Sequence, residues 1–169
     1  MATKLENLMD WLRDAHAMEQ QAEQMLTAQA SRLENYPKLR TRIEKHIEET
    51  RGQKQLLEEA LQSLGGEPST LKDIGGKLMA FGQAVGGMAM SDEVIKGAMS
   101  GYVFENLEIA TYTVLIAAAK SAGATEVQHA CEKILPQEIA MADWLREHLD
   151  ELTQAFLDRS EAPGLEAKR

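Results

Sequence analysis

Residues that cross-link or interrupt a fold are scarce in this chain, and so is positive charge. There is one cysteine, Cys131, so no internal disulfide can form, which suits a reducing cytoplasm. Only four prolines occur, glycine gathers at a few points, and β-branched runs are rare, which leaves little to build strands from. Lys and Arg number 18 against 27 Asp and Glu, a net charge of −9. Nucleic acid is therefore a poor partner and none is expected, since phosphate binding needs a basic face. No apolar run reaches the roughly 18 residues of a membrane span, and the first thirty residues show no apolar core of a signal peptide. What remains is rich in Ala, Leu, Glu, Gln, Lys, Arg and Met, all good helix formers. At 169 residues the chain can bury a core as one domain. Residues 1–159 are expected to form it, with 160–169 as a flexible tail. The expectation is an acidic, soluble, all-α protein of the cytoplasm.

Four long helices can be traced. Thr3 and Glu6 form a capping-box pattern, followed by Leu5, Leu8, Leu12, Ala15, Glu19, Ala22, Leu26, Ala30 and Leu33 at steps of three or four. Pro37 opens a second helix with Leu39, Ile43, His46, Thr50, Gln53, Leu57 and Leu61 on one side, until Gly65-Gly66. A connection over 67–90 is expected to hold a short helix capped by Ser69 or Thr70 and running through Ala84, before a break at Gly86-Gly87. Its Met79, Met88 and Met90, with Met99 beyond, read as core filler. Ser91-Asp92-Glu93 is an N-cap signal for a third helix, whose stripe is Val94, Ala98, Gly101, Glu105, Glu108, Tyr112, Leu115 and Ala119. Gly123 ends it. A fourth helix should run from Thr125 to Leu157, kinked at Pro136, with Val127, Cys131, Ile134, Glu138, Met141, Leu145, Leu152 and Phe156 inside. Short turns make hairpins of the first and last pairs. The long middle connection can cross the bundle, as in ferritin-like folds with one crossover.

The stripes contain carboxylates where apolar residues belong. Glu19 and Glu49 are 30 residues apart, as are Glu108 and Glu138, and a shift of 89 carries the first pair onto the second. The same shift matches Leu26 to Leu115, Ala30 to Ala119 and Leu56 to Leu145. One such glutamate would most often be a solvated flank residue. Four obeying one internal repeat point to a shared buried site, and ionised carboxylates there need compensating cations. Glu105 lies three residues before Glu108 and so shares its face. His46 has the same relation to Glu49, as a ligand or as a hydrogen-bond partner behind one. His16, at the repeat position of Glu105, is a weaker candidate; His129 and His148 read as surface or helix-end residues. Gln53, one turn after Glu49, is placed to hold that carboxylate. Tyr112, one turn after Glu108, reads as core packing or as a phenol behind the ligands. Hard divalent ions take oxygen ligands, and iron or manganese also accept imidazole.

These segments resemble the YciE/YciF family of ferritin-like proteins. The matching pieces are Arg13-Asp14-Ala15-His16-Ala17-Met18-Glu19, His46-Ile47-Glu48-Glu49-Thr50-Arg51-Gly52-Gln53, Glu105-Asn106-Leu107-Glu108-Ile109-Ala110-Thr111-Tyr112 and Gln137-Glu138-Ile139-Ala140-Met141-Ala142-Asp143-Trp144-Leu145. The resemblance implies a dinuclear metal centre, a stress-linked bacterial role, dimerisation and ferroxidase-type activity, with Glu19, Glu49, Glu105, Glu108 and Glu138 as ligands. The chain departs from the superfamily pattern Glu-x-x-His, having Gly52 after Glu49 and Met141 after Glu138, so His46 is the main nitrogen candidate. The leading expectation is a homodimer that binds two Fe ions and oxidises Fe²⁺ with dioxygen or peroxide. Alternatives are a dimanganese or di-iron centre that decomposes peroxide, and a non-catalytic bundle that acts through partner contacts.

Overall fold

Local signals at the helix ends set the element boundaries. A computed structural model of the chain describes residues 1–67 and 91–167. Its helices are α1 (Lys4–Ala30), α2 (Pro37–Ser63), α3 (Glu93–Ala122) and α4 (Thr125–Glu161). The capping box opens α1: Glu6 N–H donates to Thr3 Oγ1 at 3.2 Å, and Thr3 N–H donates to Glu6 Oε2 at 2.6 Å. Pro37 stands at the start of α2, where its missing N–H costs nothing. Gly123 ends α3 in a left-handed conformation, φ +70°, that a side chain would strain. α4 stays helical through Pro136.

Some details differ from the sequence reading. Asp92 occupies the N-cap of α3, but its side chain caps nothing; it pairs with Lys96 Nζ at 3.0 Å. Leu33 is buried but lies beyond the end of α1, where Ser31 Oγ donates back to the Ala28 carbonyl. Leu5 is exposed, as is Met99, which is therefore not core filler. The boundary at 159 falls inside α4. Within the segment expected to be loose, the Glu166 carbonyl accepts from Arg159 and the Ala167 carbonyl accepts from Tyr36 Oη at 2.6 Å. The expected short helix through Ala84, the Gly86-Gly87 break, and Met79, Met88 and Met90 lie outside the described residues.

α1 packs on α2, α3 on α4, α1 on α3 and α2 on α4. Side-chain contacts give the directions. Lys4 Nζ at the start of α1 reaches the Ser121 carbonyl at the end of α3, and Lys38 on α2 pairs with Glu151 on α4. Each neighbouring pair is thus antiparallel. Gly66, just after α2, lies against Met9 near the start of α1, whereas Glu93 at the start of α3 pairs with Arg32 beyond the end of α1. The α2–α3 connection must therefore span roughly 35 Å, nearly the whole bundle length. This is the one-crossover arrangement.

Among the described residues, two apolar clusters fill the bundle. One gathers Leu8, Leu12, Leu57, Leu61, Tyr112, Leu115 and Ile134; the other holds Leu26, Leu39, Ile43, Val94, Met141 and Leu145. Gly101 brings α3 close to α4, since a Cβ there would sit 3.4 Å from Leu145 Cδ1. Each fully buried leucine contributes roughly 1.5–3 kcal/mol, enough together to offset a costly polar layer between the clusters. That layer is Glu19, His46, Thr50, Gln53, Glu105, Glu108 and Glu138, all at most 2% exposed.

Candidate metal centre

Each helix delivers its polar residues to this layer through its own apolar register. On α1, Glu19 continues the stripe of Ala15 and Ala22; on α4, Glu138 sits one turn from Ile134 and Met141. α3 contributes Glu105 and Glu108, and α2 contributes His46. One ligand atom from each of His46, Glu105, Glu108 and Glu138 can be chosen so that all lie within 4.8 Å of one another. His46 Nε2 stands 3.2 Å from Glu105 Oε2 and 3.4 Å from Glu138 Oε2. One N–H cannot serve both, and neither oxygen has a hydrogen bond. Glu108 Oε1 and Glu19 Oε2 are also buried without a donor.

Glu19 borders this group and is held by the Tyr112 hydroxyl, which donates to its Oε1. Tyr112 is a core residue and a hydrogen-bond donor at once. Gln53 does not hold Glu49. Its Nε2 crosses to α4 instead, donating to Glu138 Oε1 and, at 2.8 Å, to Gln137 Oε1. Glu49 is not brought into the group. Its carboxylate faces Arg42 Nη1 and Lys45 Nζ, both at 3.3 Å, and touches the centre only through His46 Nδ1 at 2.9 Å. His16 is buried too, but its Nε2 turns to Glu58 Oε1 at 3.0 Å. His129 is exposed, and His148 Nδ1 meets the Trp144 carbonyl.

Arg42 and Lys45 were not singled out from the sequence. Their spacing of seven and four before Glu49 puts all three on one face of α2, and that signal could have found them.

The electrostatics follow from this packing. Burial, with Glu138 beside it, raises Glu19 well above the ordinary carboxylate range; burial and Glu19 do the same to Glu108. Burial also pushes Glu105 up to about 7, although His46 opposes it. Burial alone would lower His46, but the carboxylates of Glu105, Glu138 and Glu49 around its ring raise it to about 12. Glu49 is the reverse: partial burial would raise it, yet His46 and Arg42 bring it down to about 2. Without metal the centre holds protons. A donor set of several carboxylates and one imidazole, with donorless oxygens converging, fits divalent iron or manganese.

Residues 3–158 match the family described as a domain of unknown function, DUF892. The chain belongs to that family. Among solved structures it is similar to protein XCC3681 of Xanthomonas campestris, with 45% identity, a TM-score of 0.81, and coverage of 95% of this chain and 100% of that one. The E. coli stress protein YciF matches at 20% identity and TM-score 0.78, over 89% and 97% of the two chains. A dodecameric thioferritin of Bacteroides fragilis, a bacterioferritin-related protein, matches at 17% and 0.68, over 93% and 91%. The YciE/YciF resemblance carried by the four glutamate segments is borne out, and so is the ferritin-like all-α bundle.

Proposed function

We propose that this member of the DUF892 family takes up two Fe²⁺ ions between its helices and oxidises them with dioxygen or peroxide. The supporting observation is the convergence of His46, Glu105, Glu108 and Glu138, with buried carboxylate oxygens that lack hydrogen-bond donors. Glu19 and Glu49 complete the ligand set, Glu19 already beside the cluster and Glu49 by turning inward from Arg42 and Lys45. Tyr112 and Gln53 orient Glu19 and Glu138. Cation uptake displaces protons from the raised glutamates, and the carboxylates favour the ferric product because its charge is greater. With peroxide the balance is two electrons from two Fe²⁺ and two protons, giving two waters. Manganese is the alternative occupant, since its ligand preferences are the same.

Titration of metal-free protein with Fe²⁺ under air tests this. Two equivalents should bind and oxidise, and Glu138→Ala should weaken binding by about a hundredfold; no binding by the unaltered protein removes the proposal. One observation favours a rival, a bundle that works by partner contacts alone: the His46 ring already contacts Glu49, Glu105 and Glu138, so the centre has an internal partner without metal. That rival predicts no rise in melting temperature on adding metal, whereas specific binding to the folded state must raise it.

We also propose a homodimer through the outer face of α3. Met99, Val103, Leu107 and Val114 are exposed there, and the only charged residues between Gly97 and Ala119 are Glu105 and Glu108, both buried. A face without charge can meet its own copy without like-charge repulsion. Val103→Glu should give a monomer by sedimentation; a dimer that persists discards this interface. No described helix is long and apolar enough to cross a membrane. We propose the cytoplasm as its compartment, which the single thiol supports, and a stress-linked role, which the description of YciF as a stress protein supports.

A further inference from the structure

Beside the centre, α2 carries a glycine that packing does not explain. Gly52 lies in the middle of the helix, where glycine weakens the backbone, yet a Cβ built there meets nothing within 4 Å. The space next to it is an open cavity of ≈630 Å³ lined by Lys45, Glu48, Glu49, Gly52, Glu59 and Gln137, among others. A water occupies about 30 Å³ of liquid, so a divalent cation with about six waters fits inside.

Two residues join this cavity to the buried centre. Glu49 lines it and contacts His46, whose other nitrogen faces Glu105 and Glu138. Gln137 lines it and accepts from Gln53, which also donates to Glu138. Gln53 is 1% exposed, and its Oε1 has no partner, leaving a free acceptor between mouth and centre. Around the rim Glu48 is paired with Arg51, while Glu59 accepts only from the neutral Gln55 among the hydrogen bonds of the described residues.

We infer that the opening beside Gly52 is the inlet for divalent cations, and that Glu49 passes them from this mouth to His46 and the inner carboxylates. The inference rests on the metal-binding reading above. Glu59 and Glu49 draw the hydrated ion in; Gly52 leaves room for its water shell; Glu49 exchanges Lys45 and Arg42 for the ion and carries it inward. A larger side chain at 52 should obstruct this path without touching the inner ligands.

The test is stopped-flow uptake of Co²⁺, read by its visible absorption, with the unaltered full chain and its variants. Gly52→Trp should slow uptake several-fold while the final number of ions stays the same, and Gln62→Trp, an equally bulky change further along α2, should not slow it. Glu59→Gln should slow uptake at low ionic strength and flatten its salt dependence. Unchanged rates in both Gly52→Trp and Glu59→Gln overturn the inlet while leaving the metal centre standing. A failure of the unaltered protein to bind Co²⁺ overturns the centre itself. Should Gly52→Trp fail to fold, judged by its melting curve, the Glu59→Gln rates decide alone.

Discussion

The two hairpins of the bundle are related by the 89-residue repeat, yet they treat their glutamates differently. In α3–α4 the repeat pair, Glu108 and Glu138, is wholly buried, with Glu105 beside it. In α1–α2 only Glu19 is buried, while Glu49 turns to Arg42 and Lys45 near the surface. Glu49 is held there by Arg42, Lys45 and His46, and the repeat position of His46 in the second hairpin is Leu135. One nitrogen of this buried imidazole faces Glu105 and Glu138, and the other holds Glu49 outside. A two-fold sequence pattern has become an asymmetric arrangement, with one wholly buried half and one half whose second glutamate lies near the surface.

Making the halves alike is the strongest way to break this comparison. His46→Leu copies the second hairpin into the first and removes the imidazolium among Glu105, Glu138 and Glu49. Loss of one partner from a buried charged group costs about 3–5 kcal/mol, so denaturant unfolding of the metal-free variant should show a loss of that size at neutral pH. A loss below about 1 kcal/mol would mean that protons alone neutralise the cluster.

Next in size is the dependence on pH. Glu105 rises from 4.5 to about 7 on folding, so the native state binds more protons than the unfolded chain between those values. Stability must then fall as pH rises through this window, by about 3 kcal/mol for this group. His46, raised from 6.5 to about 12, acts in the same sense: its contribution is full below 6.5 and is lost as pH climbs towards 12. Glu49, lowered to about 2, works oppositely but only in acid, where its contribution disappears as pH falls from 4.5. Melting curves of metal-free protein should therefore shift down between pH 5 and 8, and saturating metal should remove most of that slope. A flat profile without metal would contradict the buried-proton description.

Smaller effects sharpen the contrast. Glu138→Ala, in the wholly buried half, should weaken Co²⁺ binding by about a hundredfold, and Glu49→Ala, near the surface, by about tenfold. Equal losses by calorimetry would show that Glu49 is as firmly a ligand as Glu138.

Much of this molecule is decided along single helices. Neighbours three and four residues apart share a helical face whatever surrounds them. Thr3 with Glu6, Pro37, Gly123 and the stripes of Leu, Ile and Ala therefore settle where helices lie and which sides turn inward. The inward placement of Glu19, Glu105, Glu108 and Glu138 belongs to the same class, since each lies on a stripe. Glu49 lies at the stripe's edge, and an edge residue goes inward or outward according to its partners. Arg42, Lys45 and His46 decided that contest, and only their side-chain positions reveal it.

Contacts between helices obey no such spacing rule. Gln53 reaches Glu138 instead of Glu49, Tyr112 reaches Glu19 instead of Glu108, and His16 turns to Glu58 although its repeat partner Glu105 faces the centre. Each choice depends on how far one helix is rotated and shifted against its neighbour, which is set by the packing of apolar side chains at both ends of the bundle. The amino-acid order determined four helices, one crossover and a buried acidic layer, because backbone periodicity is local. The tertiary structure alone decided which carboxylate meets which donor, and which one is left facing the cavity, because those pairings exist only once four helices are packed together.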